Sequence, residues 1–142
     1  MPGVDPFQLQ RFIDAQDPVY TEVCNELRRG QKTSHWMWFI FPQVEGLGRS
    51  YESQLYGISG IEEARAYLSH EILGKRLREC FSALLQVKGS SAVEIFGPID
   101  AIKLRSSLTL FEAASGEPIF DKDLEKYFDG EPDSTTLEIL GM

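Results

Sequence analysis

What most constrains this chain is its punctuation: helix-start and helix-stop signals recur so often along its 142 residues that no element can run long. Asp5-Pro6 and Asp17-Pro18 each set a capping carboxylate before a proline. Proline at a first helical position gives up only an N–H that lacks an intrahelical partner anyway. Ser59-Gly-Ile-Glu62 and Ser91-Ala-Val-Glu94 have the spacing of capping boxes, in which a hydroxyl and a carboxylate satisfy orphan N–H groups reciprocally. Gly30, Gly89, Gly97 and Gly116 stand where helical patterns stop.

Between these marks the apolar residues recur with helical period. Phe7, Leu9, Phe12 and Ile13 predict a helix over 7–16. After Pro18, the set Val19, Val23 and Leu27, with Tyr20 and Cys24 beside it, predicts a second helix to Arg29. Arg28 and Arg29 suit its negative end. Further helices are expected over 61–69, over 72–87 with Leu73, Leu77, Cys80, Phe81 and Leu84 on one side, and briefly from Ser91 to Gly97. A helix over 98–114 takes apolar weight from Ile99, Ile102, Leu110 and Phe111. Residues 119–128 bury Phe120, Leu124, Tyr127 and Phe128, and Asp133 caps a last helix over 134–140. The expected fold is mainly α, one compact domain over 1–142, with about seven short helices packed around an irregular aromatic-rich segment. A chain of this size buries roughly 68–70% of its unfolded surface, enough for a core without metals or disulfides.

The formal net charge is −8, which makes this an acidic protein and argues against a nucleic-acid polymer as partner, because phosphates want a basic stripe. It also disfavours an anionic membrane surface. The first twenty residues hold Asp5, Asp14 and Asp17 with no apolar run, unlike a signal peptide. The longest apolar block, Trp36 to Phe41, falls far short of the roughly 20 residues of a membrane span. Cys24 and Cys80 stand alone on helical patterns, so they are expected as reduced, buried thiols and the location as cytoplasmic.

The irregular segment, Lys32 to Tyr56, reads KTSHWMWFIFPQVEGLGRSYESQLY. An aromatic-rich loop must either be buried or line a pocket, since loops usually run over the surface. Trp36 and Trp38 could stack on a planar ligand and donate an indole N–H, or belong to the core with Phe39 and Phe41. Alternate residues of SHWMWFIFPQ are expected in the core, the rest at a pocket, with Lys32, Ser34, His35 and Gln43 its polar frame. Lys32 and Arg49, beside Gly46 and Gly48, are the cations able to meet an anion such as phosphate; Ser50, Ser53 and Tyr56 add hydroxyls. His35 has no cysteine or second histidine at ligand spacing, so no metal is expected. It can act as general acid or base, or simply hydrogen-bond its own loop. His70 reads as a cap or surface residue.

A second polar-in-apolar stretch is FGPIDAIKLRSSLTLF, from Phe96. On a helix Asp100, Lys103 and Ser107 share a face. Ser106 and Ser107 are poor helix formers, which points to close packing or to a polar ligand. The two stretches together suggest one pocket for a small polar ligand, of nucleotide or ADP-ribose-like type, with no cofactor implied. Asp100 and His35 are the candidate catalytic groups, and a protein-interaction module without catalysis is the alternative. The acidic run Asp121 to Asp133 is expected as a solvated face.

Most of the chain resembles the domain of unknown function 1810 family. The resemblance is carried by Gly30 with Lys32, SHWMWFIFPQ, Gly46-Leu-Gly48 with Ser50, Ser53 to Ile58, Glu63-Ala64, Tyr67-Leu68, IFGPID from Ile95 and KLRSSLTLF from Lys103. The family implies a mainly helical fold and no established activity. Some members bear the label calpastatin, yet calpain-inhibitor repeats resemble disordered, aromatic-poor segments, whereas this chain has capped helices and 11% aromatics. A looser resemblance, to the NADAR/YbiA-like family, implies N-glycosidic bond cleavage with Ser53, Tyr56 and Asp100 on matching positions. Gln54 stands where that family has a glutamate, and an amide cannot act as general acid or base.

Overall fold

The computed structural model describes residues 4–142. Its described part holds ten helices: α1 (Gln10–Gln16), α2 (Tyr20–Arg29), α3 (Met37–Ile40), α4 (Tyr51–Leu55), α5 (Ile61–Ser69), α6 (Glu71–Gln86), α7 (Ala92–Phe96), α8 (Pro98–Ser115), α9 (Pro118–Phe128) and α10 (Ser134–Leu140). The mainly α expectation holds. The extra helices are the single turns α3 and α4, inside the segment whose apolar residues show no clean period.

The caps explain most of the boundaries. Ser91 and Glu94 form the expected capping box, and Gly30 ends α2 in the left-handed region at φ 70°. Asp133 accepts from Thr136 N–H at 2.9 Å, and His70 Nδ1 accepts from the N–H groups of Ile72 and Leu73. Three signals act differently from expectation. Asp5 accepts from Leu9 and Gln10, so its carboxylate holds a preceding turn and α1 starts only at Gln10. Asp17 caps nothing and pairs with Arg76 at 2.8 Å. Ser59 donates both its N–H and its hydroxyl to the carboxylate of Glu63, one position past the expected Glu62, and Gly60 rather than Ser59 precedes the first helical residue.

One continuous cluster of buried side chains draws on every helix except α4 and α10. Its spine is a relay of rings. Trp36 meets Phe41 (6.0 Å between centroids), Phe41 meets Phe81 (4.7 Å), and Phe81 meets Phe120 (5.6 Å). The relay continues through Phe111, Tyr67 and Phe12 to Tyr56 and Phe39. Each such contact adds about 0.5–1.5 kcal/mol beyond the area it buries. α8 packs against α5, α7, α9 and α10 and is the central helix. It buries six consecutive residues, Ser106 to Phe111, so it has neighbours on all sides there.

The aromatic segment departs from simple alternation. Trp36, Met37, Ile40 and Phe41 are buried, and Trp38 and Phe39 are only half-buried. The one-turn helix α3 gives the stretch a period near 3.6 rather than 2. The segment then runs out and returns on itself. Glu45 N–H donates to Ile58 C=O at 2.8 Å and Ile58 N–H to Gln43 C=O at 2.9 Å, an isolated parallel bridge with α4 in the loop it closes. A second difference concerns the acidic run: Asp123 is fully buried, because it lies on the inward face of α9 beside Phe120 and Leu124.

Candidate functional site

A buried carboxylate sets up the aromatic segment. Glu26, on α2, is fully enclosed. It accepts hydrogen bonds from the N–H groups of Thr33 (2.7 Å) and Ser34 (3.0 Å), the Ser34 hydroxyl (2.6 Å) and the Trp36 indole (3.0 Å). Burial alone would raise its pKa. The donors, led by the Ser34 hydroxyl and the Thr33 N–H, overcome that and hold it down at about 2. Ser34 and Trp36 are therefore committed to Glu26, and the Trp36 ring sits in the core.

A second anchor holds the far end. Arg11 of α1 donates to Leu55 C=O (2.8 Å), Gly57 C=O (3.0 Å) and the Glu63 carboxylate (2.9 Å), clamping the chain where it leaves α4. Gly57 is required there: a Cβ would stand 2.7 Å from that of Glu45 on the opposite limb of the bridge. Gly48 is similarly crowded by Ser53, whose Cβ would lie 2.9 Å away.

Between these anchors the segment faces α8 across a cleft of about 370 Å³. Trp38, Gln43, Leu47, Ser53 and Tyr56 line one wall, and Ile99, Ile102, Lys103 and Ser106 the other. Glu52, Asp133 and Thr135 supply polar atoms, and Val44, Gly48 and Gly57 complete the lining. Lys103 Nζ lies 4.8 Å from the Trp38 ring centroid, a cation–π contact. Lys103 also approaches Asp100 (3.5 Å), which pairs more closely with Lys32 (2.9 Å). Lys32 donates in addition to Ser34 C=O at 2.6 Å. This chain of charges joins the two stretches at the mouth of the cleft. Tyr56 is half-buried against Phe12 and Phe39, and that burial raises its pKa. Among the described residues, neither its hydroxyl nor the Trp38 indole N–H has a hydrogen-bond partner in the protein.

Five of the expected site residues thus line one cleft: Trp38, Gln43, Ser53, Tyr56 and Lys103. Lys32 and Asp100 stand behind Lys103 in the ion-pair chain. Ser34 and Trp36 are tied to Glu26. Ser107 is fully buried with its hydroxyl unpartnered. His35 and Arg49 are exposed and outside the lining. The titratable side chains of the lining are Glu52, Asp133, Lys103 and Tyr56. The lining offers two aromatic faces, one ammonium, two carboxylates, four hydroxyls and an amide. Sequence reasoning passed over Glu26, Arg11, Glu52, Ser106 as a lining residue, and Thr135. Only Ser106 carried a local signal, as a serine inside a helix; the others act through tertiary contacts that no periodic pattern announces.

Among the described residues no group of three or more His, Cys, Asp or Glu is placed to hold a metal ion, and no helix is long and apolar enough to cross a membrane. No match is found among curated proteins. The chain superposes on the crystal structure of a conserved hypothetical protein from Mycobacterium tuberculosis with a TM-score of 0.95 and 52% sequence identity. That match covers 97% of this chain and 99% of the other. The family model described as protein of unknown function (DUF1810) matches residues 6–140, the stretch that holds both anchors and the whole cleft, and the chain belongs to that family.

Proposed function

We propose that the protein binds a small polar ligand with a planar ring, of nucleoside or ADP-ribose-like type, in the cleft between the aromatic segment and α8. The observation that carries this reading is the pairing of Trp38 and Tyr56 with Lys103 across one concave, half-apolar surface. Ligand pockets are typically about 300–1,000 Å³ with a few placed polar groups, and 370 Å³ lies at the small end of that range. The ring stacks on Trp38, with Lys103 meeting an anionic or carbonyl oxygen. Ser53, Gln43 and the Tyr56 hydroxyl take ribose-type hydroxyls. Glu52 and Asp133 add negative charge, which favours a ligand with one phosphate or none near Lys103 over a polyphosphate.

N-glycosidic hydrolysis is less favoured, because its expected acidic residue lies outside the cleft, whose own carboxylates are Glu52 and Asp133. Asp100 is engaged by Lys32 and Lys103 and does not line it, and Gln54 supplies no acid. Binding is the reading kept. The exposure of Ile99 (70%) and Ile102 (64%) at the cleft favours one other reading, an apolar protein partner seated over the same mouth.

Isothermal titration and thermal-shift measurements with adenosine, AMP, NAD and ADP-ribose test the proposal. A stacked, charge-anchored ligand predicts loss of about 1–3 kcal/mol of binding in Trp38→Ala, and a comparable loss in Lys103→Met with its folding intact. Absence of binding by all four compounds at millimolar concentration would overturn the nucleoside-type reading.

A further inference from the structure

α2 and α6 pack side by side, and the contact brings together the chain's two cysteines, 56 positions apart in sequence. They border a second cleft, of about 680 Å³, lined also by Tyr20, Arg28, Lys75, Arg78 and Glu79. Cys80 is buried, while Cys24 is half-exposed toward the opening. Cys80 Sγ lies 3.9 Å from the Tyr20 hydroxyl, and Cys24 follows Tyr20 by one turn of α2 and lines the same cleft as both. The cleft thus holds an accessible thiol, a second thiol and a phenol, with Arg28 and Lys75 on its lining, Glu79 opposing them and Arg78 paired to Glu117.

From this arrangement we propose that Cys24 and Cys80 form a peroxide-reactive dithiol site, with Cys24 the attacking and Cys80 the resolving residue. The proximity of the pair, the open cleft on the Cys24 side and the enclosure of Cys80 assign those roles. The neighbouring Cys80 thiol, joined by Tyr20 and the charge of Arg28, outweighs burial and lowers the pKa of the Cys24 thiol, which favours its thiolate. Cys80 shifts upward, because the neighbouring Cys24 thiol and its own burial keep its proton on.

The oxidant is a hydroperoxide. Cys24 thiolate attacks its terminal oxygen, the O–O bond breaks, and the leaving oxygen departs as alkoxide or hydroxide and takes a proton from water. Cys24 becomes a sulfenic acid. Cys80 sulfur then attacks Cys24 sulfur, the S–O bond breaks, and the Cys80 proton leaves with that oxygen as water. Two electrons pass from the dithiol to the peroxide, yielding a disulfide, one alcohol or water, and one further water.

The test treats the purified, reduced protein with hydrogen peroxide and follows it by intact mass and non-reducing peptide mapping. The wild type is expected to lose two hydrogens and yield a Cys24–Cys80 linked peptide. Cys80→Ser stops at the sulfenic acid and is trapped by dimedone at Cys24, and Cys24→Ser is not trapped. Reaction of the folded wild type should run at least ~10-fold faster than of the urea-unfolded protein at pH 7, as a depressed thiol pKa implies. The rate comparison keeps the test decisive if a serine variant fails to fold. Peroxide treatment that gives no linked peptide, or equal rates for folded and unfolded protein, overturns the proposal.

Discussion

At the residue scale, Glu26 decides whether the aromatic segment has a fixed course. It is the one acceptor for three backbone or side-chain N–H groups and a hydroxyl inside the protein. Removing it leaves donors buried and unpaired, which costs about 1–3 kcal/mol for each. Glu26→Ala is expected to lose at least ~3 kcal/mol in urea unfolding at pH 7, and Glu26→Gln, which keeps an acceptor, distinctly less. The sign with pH follows from the depressed folded pKa of about 2 against an ordinary 4.5. The unfolded chain takes up a proton first as pH falls, so this stabilisation is complete above about 4.5 and is lost toward 2. The gap in unfolding free energy between wild type and Glu26→Gln should therefore close over that window. A gap that stays constant from pH 6 to 2.5 would mean the carboxylate charge contributes nothing. No sequence pattern marks Glu26: it sits on a regular amphipathic helix and reads as one more solvated charge until α2 is seen against residues 33–36.

At the scale of elements, the long helices were legible because their signals are local. Caps at Ser91, Asp133 and Gly30 and the apolar period of α2 and α6 each act within a few residues. The segment from Lys32 to Tyr56 was legible only as an exception. Its shape is set by Glu26, Arg11 and the Val44–Ile58 bridge, all of which join it to residues outside any one helix or local cap. The cleft was half legible for the same reason. Trp38 and Lys103 declare themselves by type, whereas Glu52, Asp133 and Thr135 reach it only through the fold. α8 shows how burial on all sides obscures a pattern. Its serines point in sequence to close packing or to a polar ligand, and Ser106 and Thr109 return their hydroxyls to the C=O groups of Ile102 and Arg105 and are buried. Ser107 finds no partner. Ser107→Ala removes an unsatisfied buried hydroxyl and improves helix propensity, so it should be neutral or stabilising by up to about 1 kcal/mol. In thermal unfolding that is a midpoint rise of a few degrees at most. A clear fall would show that the hydroxyl has a partner after all.

For the molecule as a whole, the strongest unresolved charge is Asp123. α9 packs against both α6 and α8, and Asp123 is enclosed there with neither carboxylate oxygen hydrogen-bonded. Burial raises its pKa to about 8, against the pull of Lys126, from an ordinary value of 3.8. Lys126 cannot do more because its ammonium is spent on the C=O groups of Leu84, Leu85 and Val87 at the end of α6. Asp123 is thus mostly protonated at pH 7, and the folded protein carries about one negative charge fewer than its formula suggests. The stability consequence is opposite in sign to that of Glu26. Between about 4 and 8 the folded state holds a proton that the unfolded chain has released, so stability falls as pH rises through this window. At roughly 1.4 kcal/mol for each pH unit, the loss by pH 8 amounts to several kcal/mol. Asp123→Asn copies the neutral acid in shape and cannot ionise. It should match the wild type near pH 4, exceed it in unfolding free energy by a growing margin up to about pH 8, and hold a constant lead beyond. Chemical denaturation of both proteins at each pH unit from 4 to 9 measures that margin. If the two curves run parallel throughout, Asp123 is ionised in the folded protein, and the packing of α9 against α6 and α8 must then supply a compensating contact for its charge.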